Sequence, residues 1–521
     1  MVCPSVKSVP VRANRRGALA LFAAALGSAA CAGPISTKTQ SDAPLASAAP
    51  SQPLPQHRPS LPSVLPDVNL MDTTFRQIRR FRPFELVAPA FTLASAQYDS
   101  PVSSRIRKKA TLPAPFLAVE VQVRNRVGHG VITAGLVSSK GPQGLSAQLD
   151  PDKGVVSLVL TTKRGSVPLG SSQVRISTGS FAMGFVLCEN QATVLVRPED
   201  GVWEPLITER TKVLLELDFR DPEFLDDLEF EWGVVDGTRN LGTVRAGLFG
   251  MAGLRDPHLV QHADGTPFLR NGKAFLTWTC AGLGSFQQAH WGVFELDLDK
   301  PQRMRQVAQI YTHRGNKRLG DHAGQLVRDG NKWLVANSSW GDFNGSGVHI
   351  RHTETTADLL SGVHVLNTEP VKMPTRLNTW DPSFTRIDGR WHMAYVESPS
   401  VSPFIFYPAL AVTTRNSPFS GLTRVGSDAR KLETEGTILT RDRSGWFVLA
   451  SDGDARRFPV YDLNMREIGV LNAAYDTNIP HPQVIPHNGR WVMVSFNGAN
   501  AFEKVVGYGA HGDVVIRAGS G

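Results

Sequence analysis

Cysteine is scarce in this chain. Four in 521 residues (Cys3, Cys31, Cys188 and Cys280) are too few for a disulfide scaffold. Cys188 and Cys280 fall in apolar runs of different domains and read as two buried thiols, with pairing in an oxidising compartment as the alternative. After residue 31 no run is long and apolar enough to cross a bilayer as a helix. Charge of one sign is not concentrated either. Lys and Arg number 55 against 47 Asp and Glu, a formal net charge of +8, and the only basic run is Arg105 to Lys109. Nucleic-acid binders present a clustered basic patch, so no nucleic-acid partner is expected. A nucleotide-cradling glycine loop, a zinc signature and a serine nucleophile elbow are all missing. Helical periodicity is rare, with only Phe75 to Phe81 suggesting a turn or two of helix.

The first 31 residues read as an export signal. Lys7, Arg12, Arg15 and Arg16 precede a short apolar region, Gly17 to Gly27. Ser28-Ala29-Ala30-Cys31 is similar to a bacterial lipoprotein cleavage box, which makes Cys31 the lipidation candidate. Plain cleavage near Ala30 or Ala32 is the alternative. The expected location is the cell surface or periplasm, lipid-anchored or secreted, with membrane contact through that anchor only. Residues 32–66 are rich in Pro, Ala, Ser and Gln and cannot offset their ordering entropy by burial, so they read as a disordered linker.

Residues 67–247 carry strand patterns without a repeat, at Phe116 to Val123, Gly154 to Thr161, Phe181 to Leu187, Ala192 to Val196, Val213 to Phe219 and Leu228 to Val234. Alternation such as Val119-Glu120-Val121-Gln122-Val123 is the period of a half-buried antiparallel strand. The expectation is a β-sandwich of jelly-roll, concanavalin-like type.

Residues 248–521 repeat. Arg255-Asp256-Pro257-His258, Asp321-His322-Ala323-Gly324, Asp381-Pro382-Ser383-Phe384, Glu435-Gly436-Thr437-Ile438 and His481-Pro482-Gln483-Val484 each open on an ionisable residue. An apolar run, a turn and a second apolar run follow each one. The turns are Asn271-Gly272, Asp329-Gly330, Asp388-Gly389, Ser444-Gly445 and Asn488-Gly489. A period of roughly 45–65 residues is that of a propeller blade. The predicted fold is therefore all-β, a C-terminal five-bladed β-propeller after the β-sandwich. Its innermost strands put Asp256, Asp321 or His322, Asp381, Glu435 and His481 in a ring at the channel mouth. Like charges held so close raise one another's pKa, which points to a ligand site.

The order Arg255-Asp256-Pro257, Trp380-Asp381-Pro382 and Glu435-Gly436, each in register with its hairpin, resembles the five-bladed propellers of glycoside hydrolase family 43. The second copy departs from that family's pattern, as does Thr437 after Glu435-Gly436. The resemblance implies a glycosidase with Asp256 as general base, Glu435 as general acid and Asp381 orienting Glu435 and raising its pKa. It implies a polysaccharide or oligosaccharide substrate, arabinan-like and furanose-containing, and inversion at the anomeric carbon. It also places His481 near an axial cation, commonly calcium, held through water, while the chemistry itself requires no cofactor. Arg255, Asp321, His322, Trp380 and His481 are the expected substrate-binding residues. The alternatives are a non-catalytic carbohydrate-binding surface lipoprotein and a related propeller phosphorylase.

Overall fold

The computed structural model describes residues 65–176, 179–301, 304–500 and 511–520. The export signal 1–31, its Cys31 and nearly all of the linker 32–66 lie outside the described residues. The chain is all-β and forms a propeller, preceded by one large sheet.

That first sheet has ten strands within Glu85–Met251. Two long strands, Phe116–Ser138 and Leu228–Met251, run antiparallel along their whole length. Both bend where Gly128 and Gly130 face Gly237, and a Cβ on Gly128 would stand 2.1 Å from the Thr238 carbonyl oxygen. Beyond the bend Phe116–Ser138 changes partner, from Phe181–Cys188 to Gly144–Asp150. The bend folds the sheet over itself and brings Gly165–Gln173 against Glu204–Glu209. Hydrogen bonding is thus continuous through one bent sheet around one apolar core.

One strand expected here is not a strand. Thr211–Leu214 is a helical turn, started by the Glu209 carboxylate, which accepts from the Lys212 N–H. The alternation that follows buries Leu217 and Phe219 from an irregular segment, held by Phe219 N–H donating to Asn190 Oδ1 at 2.7 Å.

Five further sheets follow. Their inner strands are Leu254–Leu259, His322–Asp329, Asn378–Ile387, Thr434–Asp442 and Gln483–His487. Side chains tie each sheet to the next. Thr277 Oγ1 donates to Gly324 O (2.6 Å), Phe384 N to Gln325 Oε1 (2.8 Å) and Leu439 N to Ser383 Oγ (3.0 Å). Ser451 Oγ donates to Pro480 O, and Leu259 N to Gln483 Oε1 (2.8 Å), which closes the ring. A separate apolar layer fills every junction: Phe275 and Trp333, Leu334 and Trp391, Ala394 and Val448, Phe447 and Trp491, Trp278 and Phe496.

The segment expected as a helical turn, Phe75 to Phe81, is instead the strand Thr74–Phe81. It pairs antiparallel with His511–Ser520, so it belongs to the last propeller sheet rather than to the domain 67–247. Thr74–Phe81 covers the edge that His511–Ser520 would otherwise leave unpaired, and Phe75 is buried there beside Trp491. Cys188 and Cys280 are free and buried, and burial pushes the Cys188 thiol up to about 12.

Candidate active site

The inner strands break register at corresponding points: Arg255/His258, His322/Gln325, Trp380/Ser383 and Glu435/Ile438. At each break one residue has positive φ: Asp256 (52°), Ala323 (50°), Asp381 (51°) and Gly436 (71°). These are β-bulges, which re-aim the side chains around them. A bulge frees a backbone N–H, and three of these find the preceding sheet. Ala323 N donates to Thr279 Oγ1 (3.0 Å), Asp381 N to Ser338 Oγ (3.0 Å) and Gly436 N to Asp381 Oδ2 (3.1 Å). In the fifth sheet Gln483 performs the tie that Gln325 and Ser383 perform two residues after their bulges, so His481 holds the corresponding place.

The ring at the axis is therefore Asp256, Ala323, Asp381, Gly436 and His481. Glu435 stands one residue earlier, in line with Arg255, His322 and Trp380. Arg255, Asp256, Asp381, Glu435 and His481 form the floor of a pocket of about 350 Å³, its mouth included. Phe286, Trp340, Trp380 and Phe404 wall it. A second cavity lies at the opposite end of the inner strands, beside Gln261, Arg441 and Gln483, and no carboxylate lines it.

Two expected substrate-binding residues sit elsewhere. Asp321 is fully buried but outside the pocket, where Arg314 Nε donates to it at 2.8 Å and the Gly341 N–H at 2.9 Å. Two positions before its bulge, it points away from the axis, and a structural ion pair is its role. His322 does not line the pocket either. Its Nε2 lies 3.0 Å from the Phe286 carbonyl oxygen and its ring is parallel to Trp340, so it braces the wall from behind. Glu433, two residues before Glu435, is not on the pocket surface. Trp380 is the one aromatic expected to bind substrate, and Phe286, Trp340 and Phe404 line the pocket with it. Phe286 stacks on Trp340 at 4.6 Å, and Trp380 on Phe404 at 5.6 Å. Trp291, equally aromatic in sequence, is core between the first two sheets.

On the floor, His481 Nε2 is 3.6 Å from both Asp256 Oδ1 and Asp381 Oδ2, beyond hydrogen-bond length. Trp380 Nε1 donates to Glu435 Oε2 at 3.2 Å. The Arg255 guanidinium lies over the Phe496 ring at 4.5 Å, with Nε 4.0 Å from Asp256 Oδ1. Burial first, and then the charges of Glu435 and Asp256, hold the Asp381 carboxyl well above the usual range; the Gly436 N–H works against them. Burial, with Arg255 adding to it and Asp256 opposing, holds His481 down at about 4, so its imidazole is neutral at neutral pH. Burial does the same to His322, also to about 4.

The donor set does not suit a directly ligated calcium. His481 offers nitrogen where calcium takes six to eight oxygens, and among the described residues no three His, Cys, Asp or Glu side chains are grouped as metal ligands.

No protein-family profile matches the chain, and no curated protein does. Solved structures do. A family 43 β-xylosidase/α-arabinofuranosidase from a compost metagenome, bound to xylotriose, is 11% identical with a TM-score of 0.36. The match covers 51% of this chain and 90% of that one. An α-L-arabinanase of Penicillium chrysogenum with arabinobiose is 13% identical, TM-score 0.34, over 66% and 90% of the two chains. A family 117 glycoside hydrolase of Zobellia galactanivorans is 12% identical, TM-score 0.36, over 51% and 84%. The likeness is distant and is one of fold.

Proposed function

We propose that this pocket hydrolyses a glycosidic bond. One observation carries the reading: Asp256, Asp381 and Glu435, some 180 residues apart along the chain from first to last, converge on one small aromatic-walled pocket. Glycoside hydrolysis needs one carboxyl that is protonated beside the leaving oxygen and another that is ionised on the opposite face of the sugar. Glu435, steadied by the Trp380 N–H, gives its proton to the glycosidic oxygen as the C–O bond breaks. Asp256, beside the Arg255 cation, takes the proton of the water that attacks the anomeric carbon. Asp381 receives the Gly436 N–H and so fixes the peptide that carries Glu435. Burial and the neighbouring carboxyls hold a proton on Asp381, beside Glu435, so the pair of carboxyls keeps a proton within the pocket. Neutral His481, between Asp256 and Asp381, presents an N–H toward a sugar hydroxyl without adding charge.

In this reading the reaction inverts configuration, the five propeller sheets are five blades, and the substrate is a furanose-containing glycan of arabinan type. The protein is exported to the cell surface or periplasm, with Cys31 as its anchor. The test is release of reducing sugar from arabinan, xylan and bacterial cell-wall glycans by the mature protein and by Glu435→Gln. Loss of an acid catalyst costs roughly 10²–10⁴-fold in rate. Unchanged release by the variant would overturn the assignment of the acid. Binding without release by the unmodified protein would overturn hydrolysis itself.

A further inference from the structure

Among the contacts between the ten-stranded N-terminal sheet and the propeller is a tight turn, Glu189-Asn190, with the strand residue after it, Gln191. Glu189 and Asn190 are buried, and Glu189 has positive φ (54°). Asn190 is anchored at home, accepting from Phe219 N–H and donating to Asp218. The flanking side chains cross to the propeller. Gln191 Nε2 donates to the Leu283 carbonyl oxygen, and Glu189 Oε1 accepts from the Gly320 N–H at 3.2 Å.

Both contacts fall just behind the pocket wall. Leu283 lies three residues before Phe286, which the short turn Phe286–Gln288 then presents to the pocket. Gly320 precedes Asp321, whose carboxylate accepts from the Gly341 N–H at 2.9 Å, and Gly341 follows Trp340. The two loops lock to each other as well. Gln287 Nε2 donates to the Phe343 carbonyl oxygen, and Phe343 packs edge-on against both Phe286 and Trp340. The space is tight: a Cβ on Gly284 would stand 2.4 Å from Gln191 Nε2, and one on Gly341 3.2 Å from Glu189 Oε1. None of the floor residues is reached by this turn.

We infer that Gln191 and Glu189 are positioning residues for the aromatic wall, setting how Phe286 and Trp340 face a bound sugar ring, so that the N-terminal sheet is a working part of the carbohydrate site. This rests on the hydrolase reading above. The carboxyl of Glu189, surrounded by Arg210, Arg220 and Asp321, is held up to about 8 by burial, so at neutral pH it meets the Gly320 N–H largely as the neutral acid. Glu189→Gln keeps that acceptor and is the conservative variant.

The experiment uses the full mature chain and compares Gln191→Ala, Glu189→Ala, Glu189→Gln and Phe286→Ala on the best glycan from the panel above. Losing one positioning hydrogen bond raises KM roughly three- to tenfold in Gln191→Ala and Glu189→Ala. It leaves kcat within about twofold, because uniform binding and not chemistry is lost. Glu189→Gln restores KM. Gln191→Ala adds little to Phe286→Ala, since both act through one ring. A merely structural role would lower the active fraction at unchanged KM, and that result, or full additivity of the double variant, overturns the inference. Amide exchange gives a readout that needs no substrate: segments 281–289 and 339–348 exchange faster in Gln191→Ala while the inner strands do not change. A protein that neither cleaves nor binds any glycan sinks the hydrolase reading, and exchange then decides the positioning alone, unchanged loops refuting it.

Discussion

Lowering the pH below 6.5 should destabilise this protein steeply, with a slope set largely by its buried histidines. His258 and His290 are held down to about 3, and His322 and His481 to about 4, in each case chiefly by burial, from an ordinary value of 6.5. Between those limits the unfolded chain binds a proton at each histidine that the folded chain refuses, so stability falls as pH falls. Each contributes about 1.4 kcal/mol per pH unit, whatever its folded value, where the pH lies well above that value and well below 6.5. Two buried carboxyls act the other way. Glu189, held at about 8, and Asp381, held well above its usual range, keep protons that the unfolded chain has lost. Their contribution is full below the unfolded carboxyl value and is lost as pH rises through the folded one. These four histidines less these two carboxyls leave a limiting net loss of about 2.7 kcal/mol per unit, reached about one unit below pH 6.5; the partly buried His349, His352 and His392, also held down chiefly by burial, steepen it, and Glu85, held up by burial, opposes it. Above 6.5 the histidines are silent and the carboxyls alone act, so stability falls again toward alkaline pH, with its maximum near 6.5. Urea unfolding followed by tryptophan fluorescence across this range measures the slope. His290→Phe, which removes a histidine packed against Phe116 and Tyr311 outside the pocket, should flatten the acid limb by about 1.4 kcal/mol per unit. A stability that is flat or rises from pH 6.5 to 5 would refute the burial of these imidazoles as neutral groups.

Two substitutions probe the ring and its surroundings. Gly436→Ala forces a side chain into positive φ and sets its Cβ 2.3 Å from His481 Cδ2. It should cost roughly 2–5 kcal/mol in thermal or urea unfolding and abolish glycan turnover, because both Glu435 and His481 are displaced. Arg314→Met strands the buried Asp321 carboxylate, which should cost about 3–5 kcal/mol by the same unfolding measurement.

What could be read from the residues was what recurs locally. Five polar-glycine turns between apolar runs announced the hairpins, and Asp256-Pro257, Asp381-Pro382 and Glu435-Gly436 marked three of the strands that meet at the pocket. Offset within the repeat was not readable. Aligning copies by their first ionisable residues places Asp321 or His322 in the ring and sets Glu435 level with the aspartates, but the bulge fixes the register. In the second sheet that bulge is at Ala323, a residue with no turn signature. Thr74–Phe81 was opaque for a different reason: its pairing partner, His511–Ser520, lies over four hundred residues away, and no local pattern carries such a contact. Aromatics were ambiguous because burial in a core and exposure to a pocket draw on the same side chains, as Trp291 and Trp340 illustrate.

The pocket follows from which of five corresponding positions are large. Around the axis the bulge places carry Asp256, Ala323, Asp381, Gly436 and His481. Acids thus alternate with the two smallest side chains, and the fifth place is filled by a neutral imidazole. Gly436 leaves the space that His481 occupies, so the histidine reaches between the two aspartates. Ala323 is the more telling residue. An alanine at positive φ costs about 1–2 kcal/mol that glycine would not, and nothing in its backbone hydrogen bonding requires the side chain. The Ala323 methyl lines the pocket together with Asp256 and Asp381. Strain is thus kept at a small residue inside a ring of acids, where folding alone would favour glycine.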